Sequence, residues 1–357
     1  MNRIHNFSAG PAILPIPVLK ASEKAVIDYN GIGMSVLEMS HRSKEIVALF
    51  DETSANVLNL MRLSKDDYSV LYLGGGASMQ FAMVPLNFLK NSADYINTGV
   101  WSKKALAEAK MVGNVNVAAS SADKNFNYIP KEFNFDTNAD YVHYTTNNTI
   151  YGTRVKDIPK VGNAPLISDM SSDIFSRDMD FSKFDLIYAG AQKNIGPSGV
   201  TLVVIKKSFV EKAQKENNLT MLKYSTHIEA DSMFNTPAVF PVFAINETLK
   251  WIEAEGGLSA IEKRNNEKAQ LLYDAIEKSN GFYKATVEDK VDRSIMNVTF
   301  NLESEEKEAE FIKQATALNM SGLKGHRSVG GVRASIYNAC PVESVEALVG
   351  FMAKFKS

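Results

Sequence analysis

Lys193 stands in "AGAQKNIGPSG", a glycine-rich loop between the apolar runs "DLIYAG" (185–190) and "GVTLVVIKK" (199–207). A loop lysine ordinarily points to water, because its ammonium is strongly hydrated and costly to bury. Held between buried strands, the same amine loses solvation and can act as a nucleophile toward a carbonyl group. Three other features occupy equivalent places, each just past an apolar run. "GGGAS" (74–78) allows close backbone approach, and the helix pattern behind it, with Ser78 as its expected N-cap, offers unpaired N–H groups to an anion. A simple tight turn would read the same way, and the glycines match neither the P-loop ending Gly-Lys-Ser/Thr nor G-x-G-x-x-G. "NTGVW" puts Trp101 at the start of a helix, either as a core aromatic or as a face for a flat ring. "APLISD" delivers Asp169, a carboxylate that needs a cationic or hydrogen-bonding partner if buried.

The elements that carry these residues follow a regular grammar. "SKEIVALFDETSANVLNLMRL" repeats apolar residues at helical spacing, with Ile46, Val47, Phe50, Val57, Leu58 and Met61 on one face. Strand, turn and helix then succeed one another from "YSVLYLGGGASMQFAMVPLNFL" through "DYINTGVWSKKALAEAKMV" to the runs "VNVAAS", "YVHYTT", "APLISD", "DLIYAG" and "GVTLVVIKK". Strands apolar on both faces and interleaved with helices predict an α/β domain with a mostly parallel sheet. From about residue 247 the texture changes to charged amphipathic helices with two strand candidates, "SIMNVTFNL" and "GGVRASIYNA", which predicts a compact α+β unit. The boundary is expected near 250, with no Gly/Ser linker to mark it.

In open α/β sheets, ligands bind beyond the carboxyl ends of the strands. An anion cradle, a stacking aromatic, an acid and an isolated lysine on that one edge meet the needs of pyridoxal phosphate. That cofactor requires an amine for a Schiff base, an acid to keep its pyridine nitrogen protonated and an anchor for its phosphate.

Composition restricts the remaining classes. The 357 residues are 45% apolar and 22% charged with a net charge of −2, which gives no indication of nucleic acid or a membrane surface as partner. No stretch approaches the length of a membrane span and the first residues lack a signal-peptide core, so a cytoplasmic protein is expected. Cys340 is the single cysteine, which excludes an intrachain disulfide and a cysteine-ligated zinc site, and no metal site is expected. Within "YNACP" it reads as a small buried hydrophobe.

Nine segments in order resemble the phosphoserine aminotransferases, class V members of the aspartate-aminotransferase-like pyridoxal-phosphate enzymes: "HNFSAGPAILP", "MSVLEMSHRS", "GGGASMQFAMVPLN", "INTGVWS", "NNTIYGT", "SDMSSDI", "AGAQKNIGPSG", "FNTPAVFPV" and "GHRSVGGVRASIYNA". The resemblance implies a fold type I large domain (16–250) with a mostly parallel seven-stranded sheet, a small C-terminal α+β domain (251–357), and an N-terminal segment (1–15) packed near the active site and the small domain. It implies that Lys193 carries the cofactor and shuttles the substrate proton, that Asp169 pairs with the pyridinium nitrogen, and that Trp101 stacks on the ring. Ala77, Ser78 and Gln192 would hold the cofactor phosphate and Thr149 the ring hydroxyl. Asn235 and Thr236 would reach the cofactor phosphate of a neighbouring subunit, which makes a homodimer with shared sites. Arg42 and Arg333 would bind carboxylate, and His41, His326 and Arg327 would gather the phosphate or the distal carboxylate. Relatives often read Ser-Ser-Gly-Pro where this chain has Ser8-Ala9-Gly10-Pro11, so any contact made by the second hydroxyl falls to backbone.

The implied reaction is reversible amino transfer between O-phospho-L-serine and 2-oxoglutarate in serine biosynthesis, giving 3-phosphonooxypyruvate and glutamate. Phosphohydroxythreonine of vitamin B6 synthesis is a further candidate substrate. The readings that stay open are another class V transaminase, such as an alanine–glyoxylate or serine–pyruvate type, and a catalytically silent protein of the same fold. A nicotinamide dehydrogenase lacks its glycine fingerprint, and Cys340 is in the wrong context for a desulfurase.

Overall fold

The computed structural model describes residues 3–216 and 218–356. Its centre is a seven-stranded sheet ordered Tyr68–Leu73, Thr201–Lys206, Leu186–Gly190, Leu166–Asp169, Val142–Thr145, Ser92–Asn97, Asn114–Ser120. Thr201–Lys206 runs antiparallel to both its neighbours, and every other pair is parallel. The parallel strands read as continuous apolar runs because both faces are covered, and every residue of Leu166–Asp169 and Leu186–Gly190 is buried.

Side-chain alternation divides this interior into two layers. Leu202 and Val204 pack with Ile46, Phe50 and Val57 of helix Lys44–Met61 and with Val242, Ile245 and Leu249 of helix Val239–Ala254. Val203 and Ile205 face the other way, against Phe81, Val84 and Phe88 of helix Gly76–Phe88 and Ala105 and Ala109 of helix Val100–Val112. Ser43 caps helix Lys44–Met61 by accepting from Ile46 N–H, and Arg62 ends it in the left-handed conformation, φ 54°. Val47 departs from its expected place on the core face: it lies off the buried stripe and is 37% exposed. Ser78 is not the N-cap that the sequence suggested, since Gly75 takes that position and Ser78 falls in the first turn.

The second core forms around an antiparallel sheet ordered Lys284–Ala285, Asn297–Asn301, Val332–Ser335. Phe311 of helix Glu305–Ala317 and Leu348 and Met352 of helix Val342–Lys356 fill it, joined by Phe7 and Ile13 from the start of the chain. His5–Asn6 pairs in parallel with Met320–Ser321. One helix, Gly257–Glu277, serves both interiors: Leu258 and Ile261 belong to the first, Ala269, Leu272 and Ile276 to the second. The two cores therefore share a rigid element where the sequence offers no linker.

Candidate active site

All the sheet strands except Thr201–Lys206 point the same way, so their carboxyl ends meet on one edge. There the segments after Leu73, Asn97, Thr145, Asp169 and Gly190 enclose a cavity of about 320 Å³. Ala9 and Gly10 of the N-terminal segment and His326 and Arg333 of the smaller unit complete its wall.

Lys193 lines this cavity and is half-buried. Its Nζ donates to Thr149 Oγ1 at 2.8 Å and lies 5.4 Å from the Trp101 ring centroid. Burial pushes its pKa from 10.5 down to about 8; the Asp169 carboxylate opposes the shift and the Arg333 charge adds to it. Gly10 covers the lysine stem, and a Cβ there would meet Lys193 Cγ at 3.3 Å.

Asp169 is only 4% exposed. Its Oδ1 accepts from Ser171 N–H at 2.9 Å and from Ser171 Oγ at 2.6 Å, while Ser171 Oγ in turn accepts from Gly190 N–H at 3.1 Å. Among the described residues nothing donates to Oδ2, which leaves that oxygen for a donor in the cavity. Burial raises the pKa of this carboxyl, and the Lys193 charge and the Ser171 bonds pull it back.

The anion cradle is built from Gly75 and Gly76 at φ 84° and 66°, followed by Ala77 and Ser78 on the cavity wall. A side chain at Gly75 would bring its Cβ within 2.6 Å of Met79 Cβ, so the tight entry into the helix requires glycine. Gln192 shares the wall. Trp101 enters from helix Val100–Val112, held by Ser102 Oγ, which accepts from the N–H groups of Thr98 and Gly99 at 2.9 Å each. Arg333 Nη1 donates to the Thr149 carbonyl at 3.3 Å, and His326 Nδ1 is 2.7 Å from Ser328 Oγ. Burial, then the charges of Arg333, Arg327 and Lys104, hold the His326 imidazole below its usual pKa.

The donor set fits pyridoxal phosphate: an amine of lowered pKa, a buried carboxylate with one open oxygen, an aromatic ring and a glycine-built helix start. Two buried polar atoms beside this cavity, Trp101 Nε1 and Arg333 Nε, also lack a partner among the described residues, as expected of a wall shaped for a polar ligand.

Of the residues singled out by sequence, Ala77, Ser78, Trp101, Thr149, Asp169, Gln192, Lys193, His326 and Arg333 come together. Arg327 is exposed and near enough to act on His326, but it is not part of the wall. His41 and Arg42 stand outside it, and Asn235 and Thr236 line a different cavity of about 340 Å³ with Gly74, Met79 and Gly199. Sequence reasoning overlooked Ser171, although a serine two residues after a strand-end aspartate is the usual sign of a side chain that folds back onto it. Ala9 does contribute backbone, but its carbonyl already accepts from Tyr337 Oη at 2.7 Å.

Fold and site together define a pyridoxal-phosphate enzyme. The family described as Aminotransferase class-V matches residues 4–348, and the chain belongs to it. A phosphoserine aminotransferase from Desulfosudis oleivorans is 52% identical over 358 residues, covering 99% of this chain and 98% of its own. The solved phosphoserine aminotransferase of Bacillus circulans subsp. alkalophilus superposes with a TM-score of 0.97 at 50% identity, covering 100% of this chain and 99% of its own. A pyridoxal-phosphate-bound phosphoserine aminotransferase from Trichomonas vaginalis is similar at 36% identity and TM-score 0.93, covering 98% of this chain and 100% of its own.

Proposed function

We propose that this protein is a phosphoserine aminotransferase, moving an amino group reversibly between O-phospho-L-serine and 2-oxoglutarate to give 3-phosphonooxypyruvate and L-glutamate. The observation that carries the reading is the single cavity in which Lys193, Asp169, Trp101 and the 76–78 helix start meet Arg333. Relatives of that name match the chain along almost its whole length.

Pyridoxal phosphate supplies the electron sink and stores the amino group between the two half-reactions. Lys193 is the residue that binds it and that takes and returns the proton at the substrate α-carbon, a role suited to an amine with a pKa about 8. Asp169 is fixed through Oδ1 by Ser171, and its Oδ2 would hold a proton at the ring nitrogen. Trp101, Thr149, Ala77, Ser78 and Gln192 line the same cavity, where Trp101 would stack on the ring, Thr149 would meet its hydroxyl and Ala77, Ser78 and Gln192 would hold the phosphate. Arg333 and His326 receive substrate anions, with Arg327 close behind.

A substrate with both a carboxylate and a phosphate needs more cations than this wall provides. His41, Arg42, Asn235 and Thr236, which stand outside the cavity of their own chain, are assigned to the site of a second copy in a homodimer. The same reading divides the chain near residue 250 into a cofactor-binding and a smaller substrate-facing unit. It places the protein in the cytoplasm, and among the described residues no helix is long and apolar enough to cross a membrane. Phosphohydroxythreonine, which carries the same two anions, is a second substrate.

The test is a substrate panel on the purified protein. With 2-oxoglutarate as acceptor, phosphoserine is expected to give glutamate with a kcat/KM at least about 100-fold above alanine or serine, since these lack the phosphate and leave cationic groups of the site unpaired. A preference for alanine with glyoxylate would replace this reading by the other class V type.

A further inference from the structure

Beside the second core lies a buried amine with no carboxylate partner among the described residues. Lys268, on helix Gly257–Glu277, is 0% exposed, and its ammonium donates to three carbonyl oxygens: Ile336 at 3.0 Å, Tyr337 at 2.7 Å and Cys340 at 3.1 Å. Three donors meet three acceptors, so the charged form is fully bonded. Burial pushes its pKa down to about 7, and among the described residues no carboxylate offsets the shift: Cys340 raises it and the Arg264 charge lowers it further. Burying an amine there carries a desolvation penalty that an apolar side chain of similar length would not. The gain must therefore lie in what the three bonds arrange.

They arrange the segment 336–340, which leaves the strand Val332–Ser335 that carries Arg333. One turn earlier on the same helix, Asn265 Nδ2 donates to Asn338 Oδ1 at 2.8 Å, so the helix grips this segment by backbone and by side chain. From the segment two contacts run to the cavity. Tyr337 Oη donates to the carbonyl of Ala9, part of the cavity wall, at 2.7 Å. Asn338 N–H donates at 3.0 Å to Oδ1 of Asn194, the residue after Lys193, and Asn338 Nδ2 anchors to the Phe175 carbonyl at 2.8 Å. Asn194, Asn265 and Asn338 are all buried.

We propose that Lys268 is a positioning residue for amino transfer: it orders Ile336–Cys340 so that Tyr337 fixes the Ala9 wall and Asn338 fixes the neighbour of Lys193. Lys268 touches neither cofactor nor substrate and acts through those two contacts. The proposal rests on the aminotransferase reading above.

The experiment uses holoenzyme carrying Lys268→Met or Lys268→Gln, with Tyr337→Phe and Asn194→Ala as variants that cut the downstream contacts while leaving Lys268 in place; the first also loses the bond from Asn297 and the second the bond to the Ile174 carbonyl. Each is assayed well below its own melting temperature for KM and kcat with phosphoserine, and for pyridoxal phosphate affinity by absorbance. Lys268→Met is expected to raise both KM and the cofactor Kd about tenfold, with Lys268→Gln, which keeps two donors, in between. Tyr337→Phe and Asn194→Ala reproduce part of that loss when assayed below their own melting temperatures. Folded Lys268→Met with wild-type KM and cofactor affinity would overturn the proposal. Should that variant not fold, wild-type values in both downstream variants overturn it equally. If the wild-type protein binds cofactor but ignores phosphoserine, the substrate reading falls, and the affinity series still decides the role of Lys268.

Discussion

The reactivity of Lys193 can be worked out from its surroundings and measured directly. At pH 7 a lysine of ordinary pKa near 10.5 offers about one neutral amine in 3,000, and one shifted to about 8 offers roughly one in ten. The folded site therefore presents roughly 300 times more reactive amine than solvent-exposed lysine does, and capture of an aldehyde consumes that neutral form. Protein stripped of cofactor and mixed with pyridoxal phosphate in a stopped-flow spectrometer should gain the cofactor's bound absorbance at a rate that rises about tenfold per pH unit and levels off above about pH 8. Asp169 is the strongest influence holding the ammonium charged, so in Asp169→Asn the bend should move below about 8. The sign is definite: removing an anion from beside a cation lowers the cation's pKa. A rate that climbs without a bend to pH 10 would refute burial as the cause of the shift, and a bend that moves upward in Asp169→Asn would refute the opposing role given to Asp169.

Arg333 spans the Thr149 carbonyl and the cavity with a planar fork. Arg333→Lys keeps the charge and loses the fork, and should raise KM for phosphoserine about 10- to 100-fold while kcat changes less, as steady-state kinetics would show. An unchanged KM would remove Arg333 from substrate binding. Gly152 closes the turn after Thr149 at φ 74°, where an added Cβ would strike Thr299 Oγ1 and come within 3.0 Å of the Asn297 carbonyl oxygen. Gly152→Ala should cost about 2–4 kcal/mol in denaturant unfolding, and a loss under about 0.5 would contradict the packing described here.

The parts of the site legible from strand pattern alone share one physical feature: Asp169, Lys193 and the 74–78 glycines lie at the ends of strands whose apolar runs are unmistakable, whereas Thr149, His326 and Arg333 came from the resemblance. Leu166–Asp169 and Leu186–Gly190 are buried at every position, so the residues just beyond them had to emerge on one edge, and Asp169 and Lys193 did. Ser78 lines the cavity but is not the cap expected of it, because a serine before an apolar helix imitates a cap when the true cap is a glycine at positive φ. What could not be read is whatever depends on contacts distant in sequence. Lys268, inside "NNEKAQLLYDAIEKS", falls at helical spacing on the same face as Ile261, Asn265 and Leu272, but a lysine is ordinarily read as solvent-facing, and its partners, the carbonyls of residues 336, 337 and 340, are not visible from that segment. Those acceptors lie some seventy residues away and carry no side-chain signature, since any sequence provides carbonyls. Arg42 presents the opposite case: its motif "SHRS" announced a site, yet its own chain does not bring it to the cavity. A motif states what a residue can bind, while which cavity it serves is set by tertiary and quaternary geometry. The strand-end rule works because backbone direction alone settles it; residues that act across an interface or through the interior escape any rule of that local kind.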